Sequence, residues 1–118
     1  MRPIVSSKLL GVMLYAKDLK RASNWYSDKL GFQITDYNFD DFVELAIEGT
    51  YVMHLFRDLD LVPITRAVFS FNTYNIEHAY IALKNNGVEV DSLETYGDHK
   101  SFSFKDCEGN QLMISQYD

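Results

Sequence analysis

Lys17-Asp18-Leu19-Lys20-Arg21-Ala22-Ser23-Asn24-Trp25-Tyr26-Ser27-Asp28-Lys29-Leu30-Gly31-Phe32 reads as a helix with both ends written into it. Asp18 is a capping residue, able to accept from a first-turn amide that has no partner inside the helix. Leu19, Ala22, Trp25, Tyr26 and Leu30 recur at three- and four-residue spacing and so form one apolar stripe. Gly31 supplies the left-handed backbone on which helices commonly stop. Upstream, Leu9 to Ala16 is a β-rich run of strand length. Downstream, Phe32 to Tyr37, Phe42 to Ile47 and Tyr51 to Phe56 are three more, divided by Asn38 to Asp41 and by Glu48-Gly49-Thr50. The order is β-α-β-β-β.

The same order returns after a connector from Arg57 to Thr65 that contains Pro63. Ala67 to Asn72 predicts a strand, and Asn75 caps a helix carrying Ile76, Ala79, Tyr80 and Leu83 that Asn86-Gly87 ends. Val88 to Val90, Ser101 to Lys105 and Gln111 to Gln116 predict the last three strands, with a turn at Asp106 to Asn110. Glu48-Gly49 stands before Met53 as Glu108-Gly109 stands before Met113, so the chain holds two copies of one unit. Two copies are too few for a solenoid and must share a core. The expectation is one α+β domain over 1–118, with modules at about 8–57 and 66–117.

With 118 residues and 47% hydrophobic content the chain can fill one core. Lys and Arg number 11 against 17 Asp and Glu, a net charge of -6, which repels a phosphate backbone and argues against nucleic acid as a partner. The same sign favours a cationic ligand. Cys107 is the only cysteine and cannot form an internal disulfide; it reads as structural. Met1 to Ser7 lacks the apolar run of a signal peptide, and no stretch approaches the ~18 apolar residues of a membrane span, so a cytoplasmic protein with no membrane partner is expected.

The first helix, with its Asp-Leu start, Ala22, Trp25-Tyr26 and Leu30-Gly31-Phe32, resembles that of the vicinal-oxygen-chelate superfamily, the glyoxalase, bleomycin-resistance and extradiol dioxygenase fold. Phe104-Lys105-Asp106-Cys107-Glu108-Gly109-Asn110 resembles that family's second signature, Phe-x-Asp-Pro-Asp-Gly-Asn, with Cys107 and Glu108 in place of Pro and Asp. The resemblance implies two βαβββ modules forming a curved, mostly antiparallel eight-stranded sheet with two helices. It also implies a homodimer in which modules of two chains complete each cavity.

Metal-dependent members hold one divalent ion with His, Glu or Gln from the first and last strands of each module, since such a site needs about three to four converging donors. Carried onto this sequence, the four positions fall on Gly11, Met53, Val68 and Met113. Two carry no donor atom and two carry a thioether, a poor ligand for hard ions. No metal and no cofactor are therefore expected.

Alternation along the strands predicts a cavity face of Met13, Tyr15, Met53, Leu55, Ser70, Asn72, Gln111, Met113 and Ser115, soft and apolar with a few hydrogen-bonding groups. Glu44 shares a strand face with Phe42 and Ala46, either inside the cavity as an acid among aromatics or against solvent or a second chain. His99, in the loop before a strand, is placed to reach a cavity mouth; His78 reads as a surface or packing residue. His54, next to Met53, is expected to point away from the cavity. The leading expectation is a metal-free small-molecule binder that sequesters, confers resistance or senses, for a cationic or aromatic ligand. A glyoxalase-like lyase or isomerase with a displaced metal site, built from His99 or His54 with Glu44, is the alternative. A module that only dimerises is the third reading.

Overall fold

The computed structural model describes residues 1–118. The first module comprises β1 (Val12–Ala16), α1 (Leu19–Leu30), β2 (Gln33–Asn38), β3 (Phe42–Ile47) and β4 (Thr50–Arg57). The second comprises β5 (Phe71–Asn72), α2 (Ile76–Asn85), β6 (Glu94–Thr95), β7 (His99–Lys105) and β8 (Gln111–Tyr117). The strands form two four-stranded mixed sheets rather than one continuous sheet, ordered β1-β4-β3-β2 and β5-β8-β7-β6. In each sheet the strand before the helix pairs parallel with the last strand of its module, and the other pairs are antiparallel.

Both helices form for the reasons visible in the sequence. Asp18 Oδ1 accepts from the Arg21 amide at 3.0 Å, and Asn75 Oδ1 from the His78 amide at 3.1 Å. Gly31 ends α1 at φ 85°, with its amide donating to Ser27 and the Phe32 amide to Tyr26, the paired bonds of a glycine-terminated helix. Leu19, Ala22 and Tyr26 of α1 are buried against Leu14, Ala16, Val43, Leu45, Met53 and Leu55. Ile76 and Leu83 of α2 meet Phe102, Phe104, Leu112 and Ile114. These residues belong to one continuous core, so each helix covers one side of its sheet while the opposite sides stay open.

Three sequence expectations shift. The first strand begins at Val12 instead of Leu9; Leu9 and Leu10 are exposed because they have no paired strand beside them. Only Phe71–Asn72 of the Ala67–Asn72 run pairs, since β5 meets β8 at just Ile114 and Ser115. Val88–Val90 contributes a single bridge, Val90 to Phe104, and the paired edge strand is instead Glu94–Thr95. The β-propensity of these runs was right in kind, but pairing, which needs a neighbour, chose the bounds.

The turn Asp106–Asn110 joins the modules. Asp106 accepts from the amides of Glu108 and Asn110, from Asn110 Nδ2 and, at 2.6 Å, from the buried hydroxyl of Tyr26 on α1. Asn110 donates to the Tyr15 carbonyl, and Glu108 accepts from the amides of Lys17 and Asp18. Arg21 donates to the Cys107 carbonyl. Burial and the neighbouring Asp106 carboxylate raise the Tyr26 phenol well above its ordinary range, so it stays a donor to that carboxylate. The radius of gyration, 15.0 Å, exceeds the roughly 13.5 Å of a compact chain of this length. The exposed, unpaired residues 1–10 add to that extent.

Candidate functional site

The open face of the first sheet is assembled by cross-strand register. Met13 lies beside His54, Glu44 beside His54, and Asp36 beside Glu44, one row across four strands. The next row holds Tyr15, Phe56 and Phe42. Two bulges set this pattern: Thr35 is the extra residue in β2, and Val52 the extra residue in β4. Because Val52 adds one residue, the alternation in β4 changes phase, and both Tyr51 and His54 stand on the open face.

That phase change corrects the sequence reading. Met53, placed in the cavity by counting, is fully buried in the core, as is Leu55. His54, expected to face away, is on the open side and takes the place opposite Glu44. A bulge leaves no composition signal, but the order β3–turn–β4 is one residue longer on its β4 arm than its repeat mate, and aligning burial patterns instead of residue counts finds it. Met13 and Tyr15 are on the open face as expected, and both are exposed.

Tyr51, His54 and Glu44 stand side by side on this face, the first two joined by a hydrogen bond. The Tyr51 hydroxyl lies 2.6 Å from His54 Nδ1, His54 Nε2 lies 3.7 Å from Glu44 Oε2, and the Thr35 hydroxyl donates to Glu44 Oε1 at 2.9 Å. A carboxylate facing Nε2 favours the tautomer with its proton there, which leaves Nδ1 to accept from Tyr51. Desolvation first, and the Glu44 charge second, raise the Tyr51 phenol above its ordinary value, so it remains a donor. The His54 ring stacks on Phe56 at 5.4 Å and 5°, with Phe42 at 6.1 Å.

The second sheet presents different groups. Ser101 is paired with Ser115 and Ser103 with Met113 on its open side. Ser70 donates to Ser115 at 2.6 Å and Ser115 meets Ser101 at 2.9 Å, a chain of three hydroxyls. Gln111 donates to Asp91. His99 lies at the strand end, stacked between Tyr96 and Tyr117 at 4.9 and 4.5 Å, with Nδ1 2.8 Å from Asp98, whose pKa that bond lowers. His99 is thus on a different sheet from Glu44 and His54. Asn72 is exposed and lines another feature, a groove of about 380 Å³ on the helix side of the seam between modules, with Leu30, Phe32, Phe71 and Leu83.

Within this chain the position of a first-strand metal ligand is otherwise occupied. A Cβ at Gly11 would lie 2.5 Å from the Tyr51 ring, so the space into which a first-strand ligand would project is filled. His54 Nδ1 is occupied by Tyr51, and nowhere do three His, Cys, Asp or Glu side chains converge. The displaced metal site built from His99 or His54 with Glu44 therefore has only the pair His54 and Glu44.

The model of the Glyoxalase/Bleomycin resistance protein/Dioxygenase superfamily matches residues 8–114. The chain belongs to that superfamily. Its fold is similar to that of a superfamily member from Sphaerobacter thermophilus, with a TM-score of 0.80 and 22% identity over 94% of this chain and 98% of that one. An antibiotic binding protein from Streptomyces sp. aligns with a TM-score of 0.78 and 17% identity over 98% of this chain and all of that one. A lactoylglutathione lyase from Agrobacterium tumefaciens gives 0.77 and 17%, covering 95% of each. At these identities the likeness is one of fold, and a binder and a lyase share it. Comparison with curated proteins finds no significant match. No helix is long and apolar enough to cross a membrane.

Proposed function

We propose that this protein binds a small molecule without a metal, in a cavity formed when a second copy sets the second module's open face against the first module's. The observation that carries the reading is the Tyr51 ring over Gly11, joined to His54 and Glu44: side chains with binding chemistry stand where a metal-holding relative needs donors. Met13, Tyr15 and Glu44 form one wall, and Ser70, Gln111 and Met113 the other, with His99 at its end. Half-exposed aromatics beside a few hydrogen-bonding groups are the usual makeup of a ligand wall. Binding without turnover suits sequestration, resistance or sensing, and we place that role in the cytoplasm.

The test is equilibrium dialysis against cationic, neutral and anionic aromatic molecules, on protein whose metal content has been measured by elemental analysis. Binding tighter than about millimolar by metal-free protein is expected. Stoichiometric bound metal, or no ligand at that level, would sink the reading. Light scattering at the same concentrations should give twice the chain mass.

A further inference from the structure

The first module's open face already holds a flat ring that can carry positive charge. His54 is stacked on Phe56, flanked by Phe42, and faces Glu44 Oε2 at 3.7 Å, too far for a hydrogen bond. Glu44 is anchored on its other oxygen by Thr35, so Oε2 remains available. No lysine or arginine pairs with Glu44; the register places a second carboxylate, Asp36, next to it. A face that is aromatic, carries two carboxylates and has no fixed cation attracts a flat cation through ring quadrupoles and charge together.

We infer that Glu44, with Phe42 and Phe56, is a subsite for a planar organic cation of the amidinium or heteroaryl-ammonium class, and that the His54 ring holds the place on Phe56 and beside Glu44 which such a ligand takes. The inference rests on the binding function proposed above and assigns its charged pole to the first module, leaving the serine hydroxyls for the neutral end. Charging of His54 puts a positive group against the same carboxylate, so cation binding and protonation exclude one another. The groups facing His54 are Glu44 on β3, Tyr51 on its own strand, Asp36 beyond Glu44 on β2, and the uncharged Met13 on β1, with Tyr15 one row away beside Phe56. None of these is basic, so His54 is the one local source of competing positive charge.

The experiment measures binding of benzamidinium, and of neutral benzamide as its isostere, from pH 8.5 to 5.5 by NMR, following the His54 ring. Benzamidinium is expected to bind at least tenfold tighter than benzamide at pH 8.5, and to weaken up to tenfold per pH unit once His54 is charged. By reciprocity, saturating benzamidinium should keep His54 uncharged to lower pH in the unaltered protein. Glu44→Gln should remove the preference for the cation, and His54→Gln should keep it while losing the pH dependence; circular dichroism checks that both variants fold. Equal affinity for the two probes, or a pH dependence that persists in His54→Gln, would overturn the inference even if other molecules bind. Failure of the whole dialysis panel would instead overturn the function itself.

Discussion

On the first module's open face the paired positions carry Glu44, His54, Phe42 and Phe56; on the second module's they carry Ser101, Ser103, Ser115 and Met113. On the helix sides the modules stay alike, with Val43, Leu45, Met53 and Leu55 matched by Phe102, Phe104, Leu112 and Ile114. Apolar side chains there must exclude water beneath a helix, and that demand is the same twice. The open faces carry no such demand, so their chemistry is free to differ. Two copies of one fold thereby present two unlike open faces: one aromatic and acidic, the other rich in hydroxyls.

The sharpest way to break this arrangement is at the turn between modules. Asp106→Ala removes a buried carboxylate that accepts four hydrogen bonds and leaves the Tyr26 hydroxyl with no partner. Charge-assisted bonds contribute about 1.5–3 kcal/mol each, and an unpaired buried group costs about 1–3, so a loss of roughly 3–5 kcal/mol in urea unfolding is expected. The corresponding first-module turn makes no such contacts, and Glu48→Ala should change stability by under about 0.5 kcal/mol. Equal effects at the two turns would mean that the modules are not joined through Asp106.

Next in size is the pair of repeat methionines. Met53 is 0% exposed, whereas Met113 is only half-buried on the open side. Met53→Ala should cost about 2–4 kcal/mol through lost burial and a cavity, and Met113→Ala under about 1 kcal/mol. If the two cost the same, Val52 does not shift the alternation as described.

That pair also marks where sequence reasoning succeeded and stopped. The caps Asp18 and Asn75, the stops Gly31 and Gly87 and the βαβββ order were legible because each rests on local chemistry or period. Glu44 was grouped with Phe42 and set opposite Val43 and Leu45, as the structure has it, because β3 alternates from Phe42 to Leu45. His54 was misplaced because one inserted residue reverses every side chain beyond it, and a bulge is decided by the neighbouring strand. Ser70 and Asn72 were treated as part of one strand face, whereas the strand shortens to two residues and Asn72 turns to the seam groove. Tyr51 was missed altogether: its closeness to Gly11 is a tertiary contact, although a glycine opening a strand next to a tyrosine-bearing one was the available hint.

A smaller effect comes from the Tyr26 phenol, whose pKa is raised in the fold by burial and by Asp106. The unfolded chain would ionise this group near pH 10 while the folded one would not. Stability is therefore fully present below about pH 10 and falls as pH rises beyond it, because the unfolded state there releases a proton that the native state retains. Tyr26→Phe should be less stable at pH 8 but lose less between pH 9 and 11 than the unaltered protein. Parallel curves would mean that the alkaline loss comes from elsewhere; Tyr51, raised in the same direction on the first open face, is then the group to substitute.

The smallest signal is the reactivity of Cys107, which sits in the joining turn. Burial first, and then the Asp106 charge, push its thiol up to about 11, with Arg21 opposing only in part. Little thiolate then exists at pH 7.5, so labelling by a thiol reagent should be at least tenfold slower than for an exposed cysteine. The same thiol reports on the joint between modules. In Asp106→Ala the turn loses the bonds that hold it against α1, and labelling should accelerate under conditions where circular dichroism still shows folded protein. Rapid labelling of the unaltered chain would instead place Cys107 in an opening that leaves both modules intact, and the seam, not either face, would be the weakest part of the molecule.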